Sequence, residues 1–352
     1  IRSATGGIET LSLCWPGAAP GNWSRGSSGS TFEWRLTAPG CPPLFRYIHA
    51  NRVLCGKRVP SLSTKELTNL PSCAVRDEEL LVHHLANTSI LMIGDSTSAR
   101  LLQHVCDAYR CKVRSFIPCH DAHRYKHRCS SLDNHYCTLP GNITVGSFSH
   151  YGATGPPYWV YAYPLAPWLA KTTIDQVAQD MPKFRAQVSD PALIVASSGF
   201  WDLAAWWQRE GNFSKRWRVP DDHVNIYVPA VERLVAALRS TFPSSTIVWR
   251  TMHPALRHSI TPNTVRIYNN GVRSVAQRLK LPILDTEQMM RKIGHKTTPY
   301  WNHEIGPVKG AYGTHDGRHL HSFLDLAVWN VVLNMARKAK QVHAHANAHV
   351  RE

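Results

Sequence analysis

Ser96 follows a short apolar run, Thr88–Gly94 (TSILMIG), and opens a stretch, Asp95–Tyr109, whose Leu101, Leu102 and Val105 recur at helical spacing. The pattern reads as a buried strand feeding a helix. A serine at such a junction lies among outward-pointing backbone N–H groups, where the helix dipole favours negative charge. Its hydroxyl can attack a carbonyl while its own N–H begins an oxyanion hole. That chemistry needs a base. His319 is the best candidate, because Asp316 stands three residues before it and can hold one imidazole nitrogen while the other faces the serine. Alone, Ser96 would read as a helix cap and His319 as a surface histidine. Their order, at opposite ends of one α/β unit, favours catalysis. His253 is the competing base, at a strand end but without an aspartate three residues before it.

The elements that must position these residues follow the same alternation. Ala192–Ser197 (ALIVAS), Thr246–Thr251 (TIVWRT) and Pro282–Asp285 (PILD) read as further strands. Ile174–Val188, Val224–Thr241, Asn263–Leu279 and Ser322–Lys340 carry helical patterning. Strands alternating with helices of this length predict a mostly parallel sheet covered on both faces. Ligands of such sheets bind beyond the carboxyl ends of the strands. Gly94-Asp95-Ser96-Thr97, the run Ser197–Asp202, Thr251-Met252-His253-Pro254 and the block His315–His319 all fall there. The catalytic domain is expected over 86–341, with an insertion of cysteines, aromatics, Gly and Pro over 112–168. Residues 1–85 read as an irregular unit, and 342–352 as a disordered His-rich tail.

Composition sets the class. The 352 residues include 43% hydrophobic and only 18% charged side chains, which excludes wholesale disorder. No apolar stretch approaches the roughly 18–20 residues needed to cross a bilayer. The chain begins at Ile1 without Met, so a signal or membrane anchor outside this segment is expected. The formal charge of +16 invites a nucleic-acid reading, yet the basic residues are scattered and no matching motif accompanies them. An acidic glycan or a membrane face is the better partner, with a merely solvated basic surface as the alternative. Nine cysteines, all within the first 137 residues, show no metal-site spacing. Together with four N-x-S/T sequons at Asn22, Asn87, Asn142 and Asn212, they favour an oxidising secretory compartment. Disulfides among Cys14, Cys41, Cys55 and Cys73 are expected to staple the N-terminal unit.

Ile93-Gly94-Asp95-Ser96 and Asp316-Gly317-Arg318-His319 resemble the first and last blocks of the SGNH/GDSL hydrolase superfamily. Ser198-Gly199-Phe200-Trp201-Asp202, the run Trp249–Pro254 and the ending Leu326–Asn334 are similar to its PC-esterase branch. That branch includes trichome-birefringence-like polysaccharide O-acetyltransferases and the luminal domain of sialic acid O-acetyltransferases. The resemblance spans roughly residues 88–335. It implies an SGNH-like three-layer α/β/α fold with Ser96 as nucleophile, His319 as base and Asp316 as its orienter. Backbone N–H groups of Gly152, Gly155 or Gly199 would complete the oxyanion hole. The superfamily's third block usually brings an Asn, and Trp201-Asp202 stands in its place, so the hole is expected without that amide.

Asp95, Arg100, Trp201, Asp202, Thr251 and His253 would contact substrate. Sugar rings pack on aromatic faces, and the region holds Trp201, Trp206, Trp207, Trp217, Tyr158, Trp159, Tyr161, Tyr163 and Trp168, most of them expected in the core. The implied function is a glycan O-acyltransferase, acetyl by expectation, of the Golgi lumen or secreted. It would use no bound cofactor or metal, with acetyl-CoA or an acylated intermediate as donor. A carbohydrate acetyl-esterase with the same triad is the alternative. A non-catalytic glycan-binding domain is the reading from another class.

Overall fold

The computed structural model describes residues 15–25, 32–39, 41, 43–44, 81–115, 134–154, 173–187, 190–209, 221–255, 260–293, 314, 318–320 and 322–349. In chain order these form β1 (Gly21–Arg25), β2 (Phe32–Leu36), β3 (Ser89–Gly94), α1 (Ser96–Ala108), β4 (Arg114–Ser115), β5 (His135–Leu139) and β6 (Ile143–Ser149). Then come α2 (Thr173–Gln187), β7 (Leu193–Ala196), α3 (Phe200–Arg209), α4 (Asp221–Thr241), β8 (Thr246–Arg250) and α5 (Pro262–Arg278). β9 (Ile283–Leu284), α6 (Thr286–Arg291) and α7 (Ser322–His349) complete the order.

Seven strands form one sheet in the order β4-β5-β6-β3-β7-β8-β9. β6, β3, β7, β8 and β9 run parallel, and β5 and β4 add an antiparallel edge. Strand alternation divides the core in two. Leu91 and Ile93 of β3, with Ile194 and Ala196 of β7, pack under α2, α3, α4 and α5. Ile90, Met92, Leu193 and Val195 face the opposite layer of α1, α6 and α7. The fold is a three-layer α/β/α sandwich. Each fully buried Leu, Val or Phe along these faces contributes about 1.5–3 kcal/mol.

The middle strand β3 has β6 on one side and β7 on the other, although β6 follows it in sequence. The chain therefore reverses its direction of travel across the sheet at β3, and by the general rule for such sheets a ligand crevice is expected outside the carboxyl ends of β3 and β7. Ser96 begins the helix that leaves it. At the opposite pole, the β5–β6 turn contains Gly141 and Asn142 in left-handed conformation. Asn87, also left-handed, donates its N–H to the Gly141 carbonyl (2.9 Å), and its Oδ1 accepts from Asn142 Nδ2 (3.0 Å).

Three expectations need correction. The insertion over 112–168 contributes β4, β5 and β6, and β6 is an inner strand. Its sequence hid this because Gly146 replaces an apolar side chain: a Cβ there would lie 2.7 Å from the Phe184 ring of α2. The Gly/Ser/Pro-rich stretch near the N-terminus contains a strand pair, β1–β2, closed by an edge contact between Trp23 and Trp34 at 5.4 Å. Trp34 is buried in the α7-side core, Trp23 Nε1 donates to the Met289 carbonyl (2.7 Å), and Asp285 N donates to Gly17 O (2.9 Å). The described part of this unit thus covers the β9 edge of the sheet. Finally, α7 extends through His349 and takes in residues 342–349 of the tail expected to be disordered. Alternating alanines supply high helix propensity, and extending an existing helix avoids the cost of nucleation.

A disulfide joins Cys106 of α1 to Cys137 of β5, and Cys41 is disulfide-bonded as well. No described helix is long and apolar enough to cross a membrane.

Candidate active site

Gly94 ends β3 where any side chain would run into the hydroxyls of Ser98 and Ser197. That absence of bulk lets the end of β7 and the first turn of α1 close on each other. Asp95 then caps the helix in an extended conformation, its Oδ1 accepting from Thr97 N (2.9 Å) and Thr97 Oγ1 (2.6 Å). Ser96 is the first helical residue, so its N–H has no intrahelical acceptor and sits at the positive end of the dipole.

The Ser96 hydroxyl lies 2.9 Å from His319 Nε2. Each residue keeps 8% of its surface exposed. His319 arrives on a short segment pinned at its base by a bridge between Thr314 and Leu320. Asp316 and Gly155 lie outside the described residues. A buried His–Ser contact at a helix N-terminus can do one thing well. It can move the serine proton to imidazole while the oxygen attacks an electrophilic carbon.

Beneath the serine lies a buried cation that the sequence reading quoted but did not assign. Arg250 Nη2, from the end of β8, donates to Thr97 Oγ1 (2.6 Å), Ser98 Oγ (3.1 Å) and Ser197 Oγ (3.4 Å). Burial pulls its pKa down, against the charges of Asp95 and Asp325. Burial alone would raise the Asp95 pKa. The Thr97 bonds and the Arg250 and Arg318 charges outweigh it and hold the carboxyl below its usual range. Asp95, expected to touch substrate, is 3% exposed and occupied with the helix cap.

Asp202 is likewise not at the surface. Fully buried, it accepts from Ala153 N (3.1 Å), Thr154 N (2.9 Å), Thr154 Oγ1 (2.8 Å) and Ser198 Oγ (2.8 Å). It thereby clamps the loop after β6 to the start of α3. Gly152 has φ of +106°, and a Cβ there would lie 2.8 Å from Asp202 Oδ1. Its N–H, expected in the oxyanion hole, donates instead to His150 Nδ1 (3.1 Å). His150 in turn donates from Nε2 to the Ser197 carbonyl (2.9 Å), tying the loop after β6 to the end of β7. Burial lowers the His150 pKa, so the neutral ring fits both bonds. Gly199, φ +128°, lies against Met252.

Thr251, 1% exposed, donates to Asp285 Oδ1 (3.1 Å) and accepts from Glu287 N (3.0 Å), so it brackets β8 to α6 rather than facing substrate. Arg100 is exposed on α1. Trp201 is half-buried at the crevice, with Tyr151 at 5.4 Å between ring centroids and the Arg318 guanidinium 5.5 Å from its own centroid. Trp206 is core, stacked on His223 at 3.7 Å. Tyr158, Trp159, Tyr161, Tyr163, Trp168 and Trp217, with the side chain of Trp207, lie outside the described residues. Of the sequon asparagines, Asn22, Asn87 and Asn142 are exposed, and Asn212 lies outside the described residues. The reading also missed His104 and Asp325, whose 2.7 Å contact joins α1 to α7.

His253 is buried, with Phe200 edge-on at 5.1 Å, and its Nε2 lies 2.5 Å from the Arg318 carbonyl. Burial pushes its pKa down to about 4; among its neighbours Arg250 and His319 add to the fall, while the Arg318 bond and Asp95 oppose it. Unfolded, a histidine titrates near 6.5. Between those values the unfolded chain binds the extra proton, so stability must fall as pH falls. The full effect is about 3 kcal/mol once the pH drops below 4. The unfolding midpoint is therefore expected to drop between pH 7 and 4.5, and less steeply in His253→Gln. Equal slopes for the two proteins would contradict this assignment.

No protein-family model matches the sequence, and neither does any curated protein. Solved structures offer distant likenesses. A GDSL-like lipase from Bacteroides thetaiotaomicron is 12% identical, with 77% of this chain and 97% of that one covered at a TM-score of 0.37. An acetylxylan esterase from Geobacillus stearothermophilus is 15% identical, covering 72% and 95% at 0.36. An alpha/beta hydrolase from the metagenome of Lake Arreo is 13% identical, covering 72% and 97% at 0.36.

Proposed function

We propose that the chain is a glycan O-acyltransferase working through an acyl-enzyme on Ser96. The 2.9 Å contact between Ser96 Oγ and His319 Nε2 at the N-terminus of α1 carries this reading. His319 takes the hydroxyl proton as Oγ attacks the acyl carbonyl. Negative charge gathers on the carbonyl oxygen and is met by the Ser96 N–H and the helix dipole. The leaving group departs with the proton from His319, leaving the acyl group on Ser96. A sugar hydroxyl then gives its proton to His319 and takes the acyl group, restoring the serine. Asp316 is assigned to the Nδ1 side of the imidazole, fixing the tautomer that accepts at Nε2.

The half-buried Trp201 and Tyr151 give a sugar ring an apolar face beside the dyad, and Arg318 adds a positive charge suited to an acidic acceptor. An acetylated donor such as acetyl-CoA or an acylated intermediate supplies the group. The second reading is an esterase, which differs only in letting water replace the sugar hydroxyl. A secretory location rests on the Cys106–Cys137 bridge and the exposed sequon asparagines.

The test is incubation with a chromogenic acetyl ester, with and without neutral and acidic polysaccharides. Mass spectrometry of the Ser96 peptide is the readout. Acetylated Ser96 and acetylated polysaccharide are expected. Acetyl-Ser96 discharged only to water selects the esterase, and no acylation in folded protein selects the non-catalytic binding domain.

A further inference from the structure

We infer that His253 is a positioning residue: its Nε2–H, given to the Arg318 carbonyl, holds the next residue, His319, with its ring at the Ser96 hydroxyl. This rests on the roles proposed above for Ser96 and His319. His253 would act through the base and touch no reacting atom.

The geometry is specific. The contact to Arg318 O is 2.5 Å between groups 65 residues apart, and it ends on the peptide bond that leads into His319. A carbonyl only accepts, so the proton must be on Nε2. Above its low pKa of about 4 the ring carries one proton, which leaves Nδ1 unprotonated and removes His253 as a base through Nε2. The ring itself is held from two sides. It follows β8, whose pairing with β7 and β9 fixes the strand end, and Phe200 packs against its edge. The Thr314–Leu320 bridge closes the base of this segment, and the His253 bond fixes its backbone one residue from the ring that meets Ser96. Reaction through a His–Ser pair tolerates little error, since a displacement of about 1 Å can cost 100-fold in rate. A rigid strand end reaching across to the carbonyl beside His319 supplies that restraint.

The experiment compares wild type, His253→Leu and His253→Gln in ester turnover and in labelling of Ser96 by a fluorophosphonate, with thermal midpoints as a folding check. His253→Leu should lower kcat and the labelling rate by roughly 10- to 100-fold with KM little changed. His253→Gln, which keeps an N–H donor at similar reach, should recover most of the loss. The deficit of His253→Leu should be the same at every pH from 6 to 9, because His253 does not titrate there. Nitrogen-15 NMR of labelled histidines should find His253 protonated at Nε2 alone, and should find the His319 ring shifts altered in His253→Leu. Wild-type protein inert to both reagents would sink the proposed function, while the NMR measurement still decides the placement of His253. A proton on Nδ1, unchanged His319 shifts, a deficit that titrates between pH 6 and 9, or no rescue by Gln would each overturn the inference.

Discussion

His319→Ala is expected to reduce acylation of Ser96 by 1,000-fold or more, Ser96→Ala by as much, and the double variant no further. Groups that act as one unit do not lose activity additively, because removing either member already disables the step. The 2.9 Å contact makes them such a unit: the serine is a weak nucleophile unless imidazole takes its proton in the same step. Both side chains lie at the carboxyl end of the sheet, and neither is among the apolar residues that fill the two cores. Their loss should therefore move the thermal midpoint by only a few degrees, roughly the effect of 1 kcal/mol in a chain of this size. Turnover of an acetyl ester, measured beside a melting curve, separates chemistry from folding. Retention of more than a tenth of wild-type turnover in folded His319→Ala would remove it from the role of base.

Asp202→Ala should produce the largest loss of stability among the polar residues of the site, roughly 4 kcal/mol. Four donors point at this carboxylate, and each buried donor left without an acceptor costs about 1–3 kcal/mol before water or small shifts recover part of it. The damage should spread to activity. Asp202 fixes Ala153 and Thr154, and their loop borders the crevice beside Tyr151 and Trp201. Asp202→Asn retains one acceptor oxygen but turns an NH2 toward a cluster of donors, so about half the loss is expected. Urea unfolding of the three proteins checks this. A destabilisation below 1 kcal/mol for Asp202→Ala would mean that the loop is held by something else.

What the sequence made legible follows from the range over which each signal acts. β3, β7 and β8 are short runs of large apolar residues, so their burial is written into their own composition. β6, as ITVGSFS, is an inner strand whose middle had to be small to admit Phe184 from a helix that follows it in the chain. Local pattern cannot carry that information. The same division runs through the site. Ser96 and His319 were singled out because such sheets bind ligands beyond their strand ends, and the structure brings the two side chains within 2.9 Å. The polar residues around them were assigned to substrate because a buried partner far away in sequence leaves no local mark. Arg250 meets Thr97 across 153 positions, and Asp202 meets the loop after β6 across 48 or 49. Asp95, Asp202 and Thr251 look like exposed strand-end residues in sequence and are internal brackets in the fold. Trp201 is half-buried beside Tyr151 and Arg318, and Arg100 is exposed on α1.

The pairing of Asn87 with Asn142 has a bearing on how the molecule can be handled. Both lie at the amino-terminal ends of β3 and β6, whereas Ser96 follows the carboxyl end of β3. A six-residue strand separates the two poles by about 20 Å. A branched sugar, a dye or a surface tether fixed at either asparagine would project from the base of the sheet. The Ser96 end of the sheet would remain open on the far side. Attachment at this pole would nevertheless disturb the amide–amide contact that closes the β5–β6 turn on residue 87, so two bulky groups there would compete for one small patch of space.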